Sequence, residues 1–239
     1  MGQNRTDVHN HFLPGIDDGC STYEESAECI KRMMAYGYSR FFLSPHTGAT
    51  EFSDLHPRIT RAAMSEFQRH MTQMNITAEF RAGGELRLTP ETAALENIDQ
   101  VPTFGMNSIF CLADLWEPDW PDWADAAIDW LHGQGLTVIL AHPERMECIK
   151  ENPDFIDELA KRDLLFQGNL GPLGGSESLR VQQIAEKFLM DGRYFMLGSD
   201  CHRPDQIATR MAGLEHAIDL VGEAAVDKLT IENPGKLWV

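Results

Sequence analysis

Leu136-Thr137-Val138-Ile139-Leu140-Ala141-His142 is a short, nearly all-apolar run that stops on a histidine. Its length and content read as a buried strand, of the kind found in parallel sheets covered by helices. The polar residue at its end is the informative part, because the same pattern recurs along the chain. Strand-like runs at 6–12, 40–45, 76–88, 108–115, 136–141, 164–169 and 194–199 carry or adjoin His9 and His11, His46, Glu85, Asp114, His142, Asp200 and His202. Helix-like segments separate most of them. Ser21-Thr22 followed by Glu24-Glu25 caps a helix running to Tyr36, with Gly37 as its stop. Segments 60–74, 123–133, 153–162, 177–191 and 204–221 show the same period. Seven strands alternating with helices indicate a parallel β/α architecture, either a closed barrel or an open doubly wound sheet. Polar groups on nearly every strand end favour the barrel, where those ends converge on one face and build the site. The expected fold is α/β, a distorted (β/α)7 TIM-like barrel formed by one domain over residues 1–239.

The 239 residues and a hydrophobic fraction of 43% suit a single domain with a sizeable core. No stretch approaches the roughly 20 apolar residues of a membrane span. Met1-Gly2-Gln3-Asn4-Arg5 contains no hydrophobic signal region, so a cytoplasmic location without membrane insertion is expected. Five cysteines without a CxxC pair read as free thiols in a reducing compartment. The formal charge of −17 argues against nucleic acid and anionic membranes. It also opposes an anionic substrate, unless bound divalent cations reverse the local field.

Asp7-Val8-His9-Asn10-His11 places two imidazoles two residues apart on an expected strand. They then share a face, roughly 6–7 Å apart at the backbone, close enough to clamp one ion. Gly15-Ile16-Asp17-Asp18-Gly19 is an acidic turn able to fold a carboxylate back over them. Ser44-Pro45-His46 ends the second strand on an imidazole, and Gly83-Gly84-Glu85-Leu86-Arg87 points a glutamate inward, which is costly unless a cation meets it. Ala141-His142-Pro143-Glu144-Arg145 and Gly198-Ser199-Asp200-Cys201-His202 complete the series. Singly, each also fits a hydrogen-bonded histidine or a plain turn. Together, histidine and carboxylate at successive strand ends are what zinc, manganese or iron require. His56, His70, His132 and His216 fall in helix-like or loop segments and read as surface residues.

On these motifs the chain resembles the PHP (polymerase and histidinol phosphatase) metal hydrolases. Within them it is most similar to the bacterial tyrosine-protein phosphatases of capsular and exopolysaccharide loci. The opening 7–19, with its Asp-Asp-Gly element, carries most of the likeness, and 141–145, 199–202, 167–174 and Asn233-Pro234 reinforce it. The resemblance implies two to three divalent ions (Mn, Fe or Zn). His9, His11, Glu85 and Asp200 would hold the first. Glu85 would bridge to a second completed by Asp114 and His142, and Asp18, His46 and His202 would hold a third. Asp114 departs from the family, which usually has glutamate there. Arg145 is implied as the phosphate clamp, Arg203 or Arg210 as a second cation, and Asp17 as the candidate proton donor. The implied reaction is hydrolysis of phosphotyrosine on proteins by a metal-activated hydroxide, with the tyrosine autokinase of a polysaccharide export system as substrate partner. Trp116-Glu117-Pro118-Asp119-Trp120-Pro121-Asp122-Trp123 reads as a substrate lip, or as a loop packed on its own barrel or on a neighbouring subunit of a homo-oligomer. Three alternatives stay open. One is a PHP phosphatase for a small phosphomonoester such as histidinol phosphate. An amidohydrolase lacks its bridging strand-end lysine here, and a non-catalytic binding module should have lost ligands.

Overall fold

The computed structural model describes residues 4–48, 56–105 and 108–238. In chain order the main elements are β1 (Arg5–Asp7), α1 (Tyr23–Met34), β2 (Tyr38–Leu43), β3 (His46–Thr47), α2 (Pro57–Gln73), β4 (Glu79–Ala82), β5 (Glu85–Arg87), β6 (Phe110–Asp114), α3 (Asp122–Gly133) and β7 (Thr137–Ala141). Then follow α4 (Glu147–Glu151), α5 (Phe155–Ala160), β8 (Leu165–Asn169), α6 (Leu170–Leu173), α7 (Leu179–Met190), β9 (Met196–Gly198), α8 (Ile207–Val221), α9 (Glu223–Asp227) and α10 (Asn233–Gly235). The strands pair in parallel as β1-β2-β4 and as β3-β5-β6-β7-β8-β9.

The alternation of strand and helix is as expected, but two strands are interrupted. The segment at 76–88 breaks at Gly83-Gly84 into β4 and β5, and Ser44-Pro45 separates β2 from β3. Both breaks lie at the same level, where Gly83 N–H donates to Leu43 O at 2.7 Å and Glu85 N–H to Pro45 O at 3.0 Å. The first strand is also shorter than the expected 6–12, since β1 ends at Asp7. His9 and His11 therefore sit on the chain just beyond it. There Asp200 N–H donates to His9 O at 2.7 Å and His11 N–H to Cys201 O at 3.0 Å. These bonds bring the exits of β1 and β9 side by side and curl the sheet into a distorted barrel.

Burial explains why β7 shows no alternation. Val138 and Leu140 belong to the large core under the helices, while Ile139 and Ala141 join Val8, Phe42, Leu112 and Met196 in a second cluster inside the curl. Both faces exclude water, so both are apolar. Thr22 caps α1 by accepting from Glu25 N–H, as the sequence implies. All five cysteines are free.

Helix α6 follows β8 without a loop and lies against α8. A Cβ on Gly213 would come within 1.9 Å of Leu170 O, so only glycine permits this approach. Gly213→Ala is expected to cost about 3 kcal/mol, the upper part of the overpacking range, since the clash is with backbone. Urea denaturation reads this directly, and an unchanged midpoint contradicts the packing described.

Candidate metal centre

Strand ends and the loops after them deliver the expected polar residues to one mouth. His9 Nδ1–H donates to Gln167 Oε1 at 2.8 Å, which turns Nε2 toward Glu85 Oε2 (3.3 Å) and Asp200 Oδ1 (3.6 Å). His11 Nδ1 lies 2.7 Å from Asp17 Oδ2, and its Nε2 stands 3.5 Å from both Glu85 Oε2 and Asp200 Oδ1. His46 Nδ1 is 2.9 Å from Glu85 Oε2, and His142 Nε2 is 3.1 Å from Glu85 Oε1. Asp18 Oδ1 lies 3.5 Å from Nε2 of both His46 and His202.

These donors fall into three sets: His11, Asp18, His46 and His202; His9, Glu85 and His142; and His9, His11 and Asp200. His9 Nε2 and His11 Nε2 are buried without a hydrogen-bond partner among the described residues. Leaving two such atoms unmatched is costly in a folded protein. Their separations of 3.3–3.6 Å are long for hydrogen bonds. Two donors each about 2.1 Å from one tetrahedral ion stand roughly 3.4 Å apart, so the residues fit metal ligation. Asp114, the ninth expected ligand, is outside the three sets. Its Oδ1 lies 3.8 Å from His142 Nδ1.

Local backbone holds the mouth together. His142 (φ 31°) and Asp200 (φ 46°) adopt the left-handed conformation, rare for side chains with a Cβ and frequent at functional sites. Each turns the chain sharply where its strand ends. Buried Asp7 fixes the second turn by accepting from Ser199 N–H (2.9 Å) and Oγ–H (2.8 Å). Burial pushes its carboxyl up to about 6 despite those bonds. At Gly19 a Cβ would sit 2.1 Å from His11 O, so glycine lets the acidic turn close onto the histidines.

The charges are strongly coupled. Burial opposes ionisation of Glu85, yet His9, His142 and His46 around it hold its carboxyl well below the usual range. Burial also opposes ionisation of Asp200, and Arg145 and His9 reverse that. His142 moves up to about 9, because Asp114 and Glu85 outweigh its burial. So many carboxylates require positive charge among them, from imidazolium or from bound cations.

A model of the capsular polysaccharide synthesis CpsB/CapC family matches residues 5–238. The chain belongs to the CpsB/CapC family. Among relatives, the tyrosine-protein phosphatase CpsB of Streptococcus agalactiae serotype V is 24% identical over 240 residues, covering 95% of each chain. A solved structure from work on YwqE of Bacillus subtilis and CpsB of Streptococcus pneumoniae, described as unique metal-dependent tyrosine phosphatases, superposes with TM-score 0.86 at 22% identity. It covers 98% of this chain and 94% of that one. Histidinol phosphate phosphatase of Lactococcus lactis, solved with zinc, L-histidinol and phosphate, gives TM-score 0.55 at 12% identity, covering 90% and 94%. At these identities the likeness of structure concerns the fold.

In this CpsB/CapC chain the three residues expected to act on substrate lie differently from one another. Arg145, in the turn after β7, bonds through Nε to Glu177 Oε1 at 2.6 Å and through Nη1 to the Asp200 carboxylate. Arg203 is exposed and forms no side-chain ion pair among the described residues, whereas buried Arg210 donates to Asp200 O at 3.3 Å. Asp17 accepts from His11, from Gly19 N–H at 3.0 Å and from His46 N–H at 3.1 Å. Burial would raise its carboxyl, but His11 brings it down to about 2. Sequence reading missed the layer behind the ligands: Gln167 on His9, Asn169 on Asp200 (2.8 Å) and Glu177 on Arg145. Two amides in the buried end of β8 were the available signal for the first two. Of the tryptophans, Trp120 and Trp123 pack against the core, while Trp116 is 40% exposed beside a cleft of about 360 Å³ lined by Asp114, Trp116, His142, Arg145 and Met146. No helix among the described residues is long and apolar enough to cross a membrane.

Proposed function

We propose that this chain is a single-domain, cytoplasmic, metal-dependent phosphatase that hydrolyses phosphotyrosine on proteins. The observation that carries the reading is the convergence of three His/carboxylate donor sets beneath Arg145. Membership of the CpsB/CapC family and the names of its relatives support it. On this reading the natural substrate is the tyrosine autokinase of a polysaccharide export system.

His9, His11, Glu85 and Asp200 would hold one ion, Glu85, Asp114 and His142 a second, and Asp18, His46 and His202 a third, with manganese, iron or zinc suiting these ligands. Bound ions would neutralise the phosphoryl oxygens and ease loss of a proton from water near neutral pH. The chain's own groups do the rest. Gln167 and Asp17 fix the rings of His9 and His11 so that each presents Nε2. Asp17, with its oxygens engaged by three donors, orients His11 and has no proton to give. A phenolate is a fair leaving group, which makes a dedicated acid unnecessary. Glu177 anchors Arg145 by Nε, so its Nη groups face the centre for a forked contact with phosphate. The neighbouring cleft gives the tyrosine ring an entry.

The test is phosphate release by metal-loaded protein from a phosphotyrosine peptide and from histidinol phosphate, alongside an amide panel. The peptide should be hydrolysed best, with loss on chelation and recovery on adding metal back. Preference for histidinol phosphate would move the substrate to a small phosphomonoester. Turnover untouched by thorough chelation would sink the metal reading.

A further inference from the structure

Asp114 reaches toward the centre on a single methylene, and its carboxylate is already engaged. The indole N–H of Trp116 donates to Asp114 Oδ2 at 2.5 Å, while Oδ1 stands 3.8 Å from His142 Nδ1. The indole is itself clamped. The Arg87 guanidinium lies 4.1 Å from its ring centroid, and His46 meets the ring edge-on at 5.7 Å. Strand register sets Arg87 directly beside Asp114 across β5 and β6. Arg87, Trp116 and Asp114 therefore form one braced unit at the rim, and Trp116 reaches it from outside the ligand sets.

We infer that Trp116 is the positioning residue of the second metal position. Indole N–H is a donor only, so it favours the ionised carboxylate and cannot itself take the ion. By holding Oδ2 it fixes the rotation of the Asp114 side chain and presents Oδ1 toward His142 Nδ1. A short carboxylate gains more from such a tether than a long one, because a small rotation carries its oxygen out of reach. The inference rests on the metal-centre reading above, and it assigns to Trp116 a task separate from contact with substrate.

The experiment is titration with Mn²⁺ alone against a chromophoric chelator, on wild type, Trp116→Phe, Asp114→Glu and the Asp114→Glu/Trp116→Phe pair. Circular dichroism of each monitors the fold, and phenylalanine keeps an aromatic ring over Arg87. In Trp116→Phe the dissociation constant of one ion should rise 10-fold or more, on the scale of lost ligand-orienting contacts, with the others unmoved. In the Asp114→Glu background the same change should cost less than about 3-fold, since the longer side chain reaches without the tether. Wild-type affinity for every ion in Trp116→Phe, or an equal loss in both backgrounds, overturns the inference. A wild type that binds less than one ion per chain overturns the metal-centre reading instead, and one that binds a single ion removes the second position and overturns the inference.

Discussion

His9→Ala should abolish phosphatase turnover while the fold survives. His9 belongs to two of the three donor sets, so its loss disables two ion positions together. Contacts that only orient a ligand are worth 10–100-fold, and deleting a shared ligand should exceed that, roughly 1,000-fold or more. The structural cost is modest by comparison. Gln167 and Glu85 each lose a buried partner, at about 1–3 kcal/mol apiece, against a typical stability of about 5–15 kcal/mol. The far-UV spectrum should therefore match wild type. Asp200→Ala should behave alike, because Glu177 still pairs with Arg145. Turnover above about a tenth of wild type in either variant contradicts the roles assigned.

Arg145 separates phosphoester chemistry from other metal hydrolysis. Its side chain is 31% exposed, anchored at Nε by Glu177 and turned inward at Nη1. Arg145→Lys keeps the charge but loses the fork, and Arg145→Ala loses both. Turnover of a phosphotyrosine peptide should fall roughly 10-fold for lysine and 100-fold or more for alanine, the usual scale for lost transition-state charge contacts. Metal content should stay constant in both variants, which distinguishes lost phosphate contact from lost ligation. Wild-type rates in Arg145→Ala would reduce this side chain to a structural ion pair with Glu177.

The β/α alternation and the site's first layer were legible for one physical reason. Strands buried on both faces must be apolar, so a histidine or carboxylate closing such a run stands out, as at His142 and Asp200. What escaped was non-local or sub-threshold. The breaks at Ser44-Pro45 and Gly83-Gly84 depend on each other across β2 and β4, a pairing no single window contains. His9 and His11 looked like alternate strand positions, yet they lie past β1 and are aligned by bonds to Asp200 and Cys201 at the far end of the chain. Helices α4, α6, α9 and α10 have three to five residues each, too few to show a 3.6-residue period. Glu177 meets Arg145 across 32 residues and Trp116 holds Asp114 through side-chain geometry, and neither contact leaves a spacing signature. The resemblance implies Asp17 as a proton donor, whereas in the structure three donors engage it as an acceptor.

Elemental analysis of protein purified without chelator and then supplied with manganese, iron or zinc tests the central claim most directly. Nine His, Asp and Glu side chains converge at the mouth, the buried Nε2 atoms of His9 and His11 have no hydrogen-bond partner among the described residues, and Glu85 and His9 each face more than one neighbour. Two to three ions per chain are expected after removal of loosely bound metal. Less than one ion per chain would contradict a metal centre at these strand ends.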